Sequence, residues 1–514
     1  MRSRSSPVIT ILSAAAVLML LCAPVRASDE TIHPDSWVYP ALRRFELLGM
    51  VTLDPAVPFT RSQCEAYVDR ILQAPEGGGR RLTVRQRYLL ERLREEFQGK
   101  AYRPREREDP PLWTIREGRR FAAFDLTAGA SLRRRITREK GEANGMLAPS
   151  LLLDVGNGVV FETGYMIRMA PERELNSRML KPSRREKSWR GVTAEYERAY
   201  AALAGSGWRV GAGRDYIGWG VWSDGLIMSA ESISLDHLAF DISLGRFTLR
   251  AFQAVLDPFL SRRLAGHRLE IRLPRSISAG ISETVLYTGR GFDWSYLLPF
   301  GSFYANQYNE RGDDNILWEA DIKVPVARGL IAGGELLVDD FQYESDTPGP
   351  DRLGWTVGFS ALSSPAGMDL LLEARYRRLA IFTYAHKDTL LTAYLAGRGD
   401  PSIDPILGSR LGPDADMWEL RGSLAVHRRV EIRASAEVIR RGEGNDLREW
   451  DRIEDPDPPF PSGEVVKERI FRAGAGIDLG RGSHAEIDGG VRRLSGGVPD
   501  EDTWFGYLSI AWDF

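Results

Sequence analysis

Aromatic, acidic and basic side chains stand close together in one short segment, a combination that suits carbohydrate binding. A sugar ring stacks its flat C–H face on an aromatic ring, while its hydroxyls bond to planar carboxylate or amide groups. Sugar recognition by stacking and hydrogen bonding is therefore the chemistry that we predict here. The candidates within residues 213–225 are Arg214, Asp215, Tyr216, Trp219 and Trp222.

A second segment, residues 289–314, is richer still in aromatic residues. It contains seven Phe, Trp or Tyr residues, followed by Asp313 and Asp314. By the same stacking argument, Trp294 is a further carbohydrate-binding candidate. Both segments also have a purely structural interpretation, which applies if the chain forms a membrane barrel. Their rings would then close the barrel mouth or belong to the aromatic girdle at the membrane interface.

Enzymatic chemistry has little support in the sequence. Six histidines are present, and His237 closely follows three serines and Asp236. A catalytic triad is defined by geometry rather than by proximity along the chain, and no GxSxG, HExxH or CxxC pattern occurs. We therefore expect no enzyme, no metal site and no cofactor.

The end of the chain has the pattern of a barrel strand. A strand that faces lipid on one side and a lumen on the other alternates over about ten residues. Residues 503–514 therefore predict the closing strand of a bacterial outer-membrane β-barrel. Before the terminal Phe514, every second residue is apolar or glycine: Trp512, Ile510, Leu508, Gly506 and Trp504.

The same alternation extends back along the chain to residue 119. In one of the clearest strands, Trp418 and Leu420 would face lipid, whereas Glu419 and Arg421 would face the lumen. Backbone groups left unpaired in hydrocarbon cost several kcal/mol each, so such strands must close into a ring. We therefore predict an all-β transmembrane barrel over residues 119–514.

Connection lengths indicate how this barrel is oriented. Tight turns such as residues 427–429 alternate with long loops, among them residues 215–237 and 289–314. Outer-membrane barrels have short turns in the periplasm and long loops outside the cell. The tally is about eighteen antiparallel strands, or about twenty if residues 378–395 add a hairpin. The two aromatic loops would then lie outside the cell.

Charges predicted to face the lumen have both signs. A lumen of this width could hold an aqueous channel unless it is plugged. The charges form either an electrostatic mesh that stiffens the wall or a selective polar path. They include Arg268, Glu270 and Arg272 on one strand and Glu431, Arg433 and Glu437 on another.

Two other charged features have a functional and a structural interpretation. Glu283 occupies the apolar phase of its strand, which implies a bulge, a reversal toward the lumen or a partner, and makes it a site candidate. Residues 171–190 carry seven Arg or Lys against three Glu. This basic loop could meet acidic polysaccharide or lipopolysaccharide phosphates, or simply be solvated surface.

The N-terminal region differs in pattern from the barrel. Residues 1–27 have the charged start, apolar stretch and small-residue end of a secretory signal. Residues 28–102 contain three stretches of helical periodicity with capping residues before them, so we predict a small three-helix bundle. Residues 103–118 are the predicted linker. With an even number of strands, this bundle and the C-terminus both lie in the periplasm.

Four short blocks resemble one family. They are GRDYIGWG at residues 213–220, LIMS at 226–229, ISET at 281–284 and GELLVDDF at 334–341. These blocks, together with helices that precede an eighteen-stranded barrel, resemble the Wzi family of capsule assembly and attachment proteins. The resemblance implies a lectin-like outer-membrane protein that holds capsular polysaccharide or exopolysaccharide at the cell surface. It adds Asp339 and Asp340 to the carbohydrate-binding candidates.

The functional hypothesis is an outer-membrane barrel that binds polysaccharide and helps to assemble or attach it. A substrate-specific porin or a polysaccharide export channel is the alternative. The expected partners are surface polysaccharide, outer-membrane lipids and, during biogenesis, the barrel assembly machinery. A formal net charge of only −3 argues against nucleic acid as a partner.

Overall fold

Nineteen antiparallel strands form a single sheet among the described residues of the chain, whose structure is a computed structural model. The structure describes residues 29–74, 82–97, 111–118, 120–135, 142–169, 189–297, 301–310, 314–340, 350–386, 394–398, 404–445, 458–480 and 482–513. The strands are β1 (Trp113–Glu117), β2 (Arg120–Arg135), β3 (Glu142–Gly156), β4 (Val159–Met169), β5 (Val192–Gly205), β6 (Trp208–Asp215), β7 (Leu235–Leu244), β8 (Phe247–Asp257), β9 (Arg262–Arg272), β10 (Ser278–Tyr287), β11 (Asn315–Ala327), β12 (Leu330–Asp340), β13 (Arg352–Ser363), β14 (Asp369–Leu379), β15 (Ala415–His427), β16 (Val430–Arg441), β17 (Val466–Gly480), β18 (Ser483–Gly496) and β19 (Glu501–Asp513). The α-helices are α1 (Val38–Leu47), α2 (Arg61–Gln73), α3 (Val84–Phe97) and α4 (Phe303–Glu310).

The sheet closes on itself into a barrel. The last strand, β19, pairs with β2, and Asp513 lies opposite Thr127. The short strand β1 pairs with the start of β2, where Trp113 lies opposite Phe124, so it continues the ladder beyond the end of β19. Nineteen strands less β1 leave a closed ring of eighteen, which confirms the predicted fold class. The described part of residues 378–395 contributes only the end of β14.

Alternate residues face opposite sides of the wall, as the period-two pattern predicts. In β15, Trp418 and Leu420 are exposed on the outer face, whereas Glu419 between them is buried on the lumenal side. In β19, Leu508 and Trp512 are likewise exposed on the outer face. The outer face thus carries the apolar belt that a lipid-facing barrel requires.

The first three helices pack together at the end of the barrel where tight turns join the strands, which we call the short-turn end. At the start of α2, the Thr60 hydroxyl accepts from the Gln63 N–H and the Gln63 side chain accepts from the Thr60 N–H. The apolar faces of the three helices meet in a core that includes Phe45, Val68 and Leu93. Among the described residues, none of the helices is long and apolar enough to cross a membrane.

Polar contacts attach these helices to the barrel. Lys323 Nζ of β11 lies 2.5 Å from Glu46 Oε1 of α1. The Thr83 hydroxyl, just before α3, donates to Asp369 Oδ1 of β14 at 2.7 Å. Arg92 of α3 also forms an ion pair with the end of β17. Because the contacts reach strands far apart in the ring, the helices lie across the opening at the short-turn end.

Two connections at the opposite end, the long-loop end, turn inward and occupy part of the lumen. Strand β6 ends at Asp215 after eight residues, although its neighbour β5 has fourteen. Residues 216–234, which we call inner segment 1, then enter the lumen. The described part of residues 380–411, inner segment 2, enters it after β14.

An apolar core joins both inner segments to the lumenal wall. A fully buried Leu, Ile or Phe side chain stabilises such an arrangement by about 1.5–3 kcal/mol. The prediction that residues 215–237 form an external loop is wrong. Most of these residues lie inside the lumen, where the apolar lumenal face of the wall packs against them. The buried core includes Leu226, Ile227 and Met228 of inner segment 1, Tyr384, Tyr394 and Leu395 of inner segment 2, and Phe252, Leu317 and Leu337 of the wall.

Several sequence predictions fall on residues outside the described part of the chain. They concern the secretory signal at residues 1–27, residues 103–110 of the linker and residues 171–188 of the basic loop. These remain predictions from the sequence.

Candidate functional site

Buried ion pairs hold inner segment 1 against the wall. Arg375 Nη1 lies 2.6 Å from Asp224 Oδ1, and Arg377 Nη1 lies 2.8 Å from Asp224 Oδ2. Burial raises the pKa of Asp224, but the two guanidinium groups outweigh burial and hold that pKa well below its usual range. The charged Asp224 therefore attaches the middle of inner segment 1 to the lumenal face of β14.

Two glutamates of the wall accept hydrogen bonds from the backbone of the same segment. Glu335 of β12 accepts from the Val221 N–H at 2.6 Å. Glu319 of β11 accepts from the Ile227 N–H at 2.7 Å. Backbone N–H groups must be satisfied when a loop is buried, and these carboxylates supply the acceptors.

Inner segment 2 is attached to inner segment 1 through two tyrosines. The Tyr384 hydroxyl donates to the Leu226 carbonyl at 2.6 Å, and the Tyr394 hydroxyl donates to the Ile227 carbonyl at 2.7 Å. The two tyrosine rings stack with their centroids 5.6 Å apart. Asp339 of β12 accepts from the Tyr384 N–H at 2.6 Å and so ties the segment to the wall.

The N-terminal residues continue this arrangement from the short-turn end. Val57 and Gly218 exchange both backbone hydrogen bonds, at 2.8 and 2.9 Å. The Thr31 hydroxyl donates to Asp215 Oδ2 at 2.6 Å, and Arg198 Nε lies 3.0 Å from Asp215 Oδ1. A continuous column of packed chain thus runs from the helices to inner segment 1.

Most of the aromatic candidates are absorbed by this column. Tyr216 is buried, and its hydroxyl donates to Glu197 Oε1 at 2.9 Å. Trp219 is buried against Phe252, with ring centroids 5.2 Å apart. Trp222 is half-buried beneath the Arg375 guanidinium. These rings have interior partners and present little free face to a sugar.

The remaining candidates lie apart from these rings. Arg214 and Asp215 are neighbours in β6 and therefore face opposite sides of the wall. The Arg214 guanidinium donates to both oxygens of Asp236, at 2.7 and 2.6 Å. Glu283 and Trp294 belong to the outer face, and the side chain of Asp340 lies outside what the structure describes. The structure thus does not gather the predicted set into one site.

A cavity of about 370 Å³ lies in the lumen between inner segment 2 and strands β14 to β18. Its volume is within the range of small-ligand pockets. Four arginines and three carboxylates line it, so its charged side chains carry a slight excess of positive charge. The charged lining residues are Arg410, Arg421, Arg433, Arg472, Glu373, Glu437 and Asp488.

In part of this lumenal cavity an arginine is much more exposed than the carboxylate with which it pairs. Arg472 pairs with Glu437, yet 34% of the Arg472 side chain is exposed against 4% of the Glu437 side chain. Arg433 Nη1 lies 2.7 Å from Glu486 Oε1. A guanidinium has five N–H groups, so each arginine keeps donors that its ion pair does not use. Those donors can bind hydroxyl or carboxylate oxygens of a ligand.

Sequence reasoning found some of these residues but not their grouping. Arg421 and Arg433 were expected to face the lumen, and they do. Arg410 lies in residues 384–415, another long connection that the pattern of connection lengths predicts to be external, so the sequence does not place it in the lumen. Elsewhere Arg268 pairs with Asp321 at 2.6 Å and with Glu270 at 2.8 Å, as the mesh interpretation expects.

Comparison with known proteins relates this architecture to one solved structure in particular. Wzi of Escherichia coli, described as an outer-membrane protein involved in group 1 capsule assembly and a carbohydrate-binding β-barrel, has a TM-score of 0.59. The fold is similar to that of Wzi. The match covers 95% of this chain and 100% of Wzi at 11% sequence identity, so the similarity is one of fold.

Other solved barrels match less of the chain. OprD of Pseudomonas aeruginosa has a TM-score of 0.46 at 9% identity, and the match covers 76% of this chain and 95% of OprD. OccAB1 of Acinetobacter baumannii has a TM-score of 0.46 at 10% identity, covering 76% of this chain and 97% of OccAB1. No family model and no curated protein sequence matches the chain.

Proposed function

We propose that the protein is an outer-membrane barrel that binds polysaccharide and helps to assemble or attach capsule or exopolysaccharide at the cell surface. The observation that carries the proposal is the lumenal cavity, which four arginines line and in which Arg421 and Arg472 pair with buried carboxylates. The fold similarity to Wzi, a carbohydrate-binding barrel, supports the same role. The proposed role is non-enzymatic and needs no cofactor.

The mechanism proposed for binding is hydrogen bonding by partly exposed guanidinium groups. Arg433 pairs with Glu486 and Arg472 pairs with the buried Glu437, so each guanidinium group is held in position. A sugar hydroxyl or carboxylate that enters the cavity then accepts N–H groups that are already oriented. Preorganised donors lose less conformational entropy on binding, so even a short stretch of glycan is held.

In this proposal the helices and the C-terminus lie in the periplasm and the long-loop end lies outside the cell. Outer-membrane lipids surround the wall, and the barrel assembly machinery inserts it. A substrate-specific porin or an export channel is the second candidate. The two inner segments favour binding over conduction, because they occupy lumen that a channel would leave free.

Glycan binding by the purified full-length barrel tests the proposal. In detergent, Arg433→Gln and Arg472→Gln together should weaken binding to surface polysaccharide fragments at least tenfold, since a hydrogen bond from a charged group contributes about 1.5–3 kcal/mol. Arg440→Gln is the matched control, because Arg440 forms its ion pair with Asp416 on the outer face. Equal binding by all variants would remove the cavity from the site.

Planar-bilayer recordings separate the two candidate functions. A binding barrel with an occupied lumen should give no stable open steps, and it should retain glycan on an array. Stable steps without glycan retention would favour the channel. Deletion of the gene should also release polysaccharide from cells, and fully attached polysaccharide would contradict the attachment role.

A further inference from the structure

Part of the outer wall near the long-loop end is covered by the chain itself. The described part of residues 290–310 (290–297 and 301–310), which we call the outer flap, folds back over the outer face of β8 to β11. The Gln253 side chain of β8 donates to the Asp293 carbonyl at 2.6 Å. Along β10, Ile281 is 61% exposed, whereas Val285 and Tyr287 in the same outward phase are fully buried beneath the flap.

Glu283 fastens the outer flap to the wall. It accepts hydrogen bonds from the backbone N–H groups of Phe303 at 2.9 Å and Tyr304 at 3.1 Å, at the start of α4. It also accepts from Trp318 Nε1 at 2.9 Å, and His267 Nε2 lies 3.1 Å away. A carboxylate at a helix N-terminus satisfies free N–H groups and interacts favourably with the helix dipole. This contact explains a charge in the apolar phase of β10.

The exposed side of the outer flap carries large aromatic side chains. Trp294 is 74% exposed and Tyr308 is 80% exposed. The helix α4 has one charged residue among its eight, Glu310 at its end, whereas α3 has seven among its fourteen. Trp and Tyr combine an apolar ring with a polar tip, which suits the boundary between lipid headgroups and acyl chains.

We propose that the outer flap is a lipid-binding anchor that lies among the headgroups of the outer leaflet and places Trp294, Tyr304 and Tyr308 against them. The flap is continuous with the apolar wall: Ile281 lies two residues below Glu283, about 7 Å along the strand at 3.3 Å per residue. With strands tilted by about 40°, α4 begins about 5 Å nearer the surface than Ile281. The proposal rests on the membrane location given under the proposed function.

Depth-dependent fluorescence quenching tests the anchor. The full chain, with Cys22→Ser and Cys64→Ser, carries one labelled cysteine from Trp294→Cys, Tyr308→Cys or Ile281→Cys. Each is reconstituted in phosphatidylcholine vesicles that contain a spin label either near the headgroup or deep in the acyl chain. Because all three positions are exposed, labelling leaves the fold intact.

The anchor predicts a specific pattern of quenching. Labels at 294 and 308 should be quenched at least twofold more strongly by the shallow spin label, whereas the label at 281 should respond more to the deep one. Quenching at 281 without quenching at 294 and 308 would overturn the anchor while leaving the membrane barrel intact. An unquenched label at 281 would overturn the membrane location as well. Labels at 294 and 308 that respond to soluble glycan but not to either lipid quencher would replace lipid by sugar as the ligand.

Discussion

The ion pair between Lys323 and Glu46 should determine how firmly the helices close the short-turn end. Both side chains are buried, and Lys323 Nζ also donates to the Leu53 carbonyl at 2.7 Å. Replacement of Lys323 by Met keeps the volume but leaves Glu46 with one cation instead of two and the Leu53 carbonyl without this donor. Breaking a buried pair in this way costs about 3–5 kcal/mol.

The lower end of that range applies, because Arg43 Nη1 remains 2.5 Å from Glu46 Oε2. A loss of about 3 kcal/mol corresponds to a factor of about a hundred in the equilibrium for helix undocking. Hydrogen exchange of the α1 amides should therefore accelerate by about a hundredfold in Lys323→Met, if α1 exchanges through undocking. Exchange in the barrel strands should stay unchanged.

Two further variants make this experiment decisive. Lys467→Met, which removes an exposed lysine from the outer face of β17, should leave α1 exchange at its native rate. Glu46→Gln combined with Lys323→Met removes both charges and should recover about 1–2 kcal/mol of the loss. If α1 exchange in Lys323→Met equals that of the native protein while β11 stays protected, the reasoning about this buried pair is refuted.

Four other perturbations have outcomes that follow from the structure. Burial raises the pKa of Glu46, but Lys323 and Arg43 outweigh burial and lower that pKa. Docking of the helices should therefore be fully stable above about pH 4.3, the ordinary glutamate pKa, and should weaken as the pH falls through the lower pKa of the folded state. Hydrogen exchange of the α1 amides measured against pH checks this, and an exchange rate that does not change with pH in this way would contradict it. Asp224→Asn should loosen inner segment 1 and raise conductance in planar bilayers, where a trace as closed as that of the native barrel would argue against the role of the ion pairs. Trp219→Ala should destabilise the folded state by about 3–5 kcal/mol, because Trp219 packs against Phe252 in the interior. This loss should be seen as a lower Tm, whereas the removal of a sugar contact alone would leave the Tm unchanged. Thr60→Ala should cost about 0.5–2 kcal/mol of helix stability in urea unfolding of the helical region, and an unaltered midpoint would show that the capping box contributes nothing.

The barrel was predictable because its wall separates two solvents. Lipid and lumen place opposite demands on adjacent residues, so Trp418 and Glu419 reveal the strand and its faces from the sequence. Strand number followed from the same alternation, and a family resemblance independently agreed with it. The Thr60 cap was equally local, because a capping residue acts within one turn of its helix.

The interior was not predictable in the same way. Trp219 in a Gly-rich segment has the same local sequence whether the loop points outward or into the lumen. The choice depends on apolar wall residues such as Leu317 and Leu337, which are distant in sequence. Glu283 posed the reverse problem: its position was recognised as anomalous, but its partners in α4 lie about twenty residues away and form no local pattern.

The backbone bridge between Val57 and Gly218 has a consequence for the order of assembly. It joins positions 161 residues apart (218 − 57), and one of them lies inside a ring that closes only when β19 meets β2. Residues near Val57 therefore complete their backbone pairing only when the segment that follows β6 is in place. A barrel that closed without the N-terminal region would therefore leave both Gly218 backbone groups without their Val57 partners.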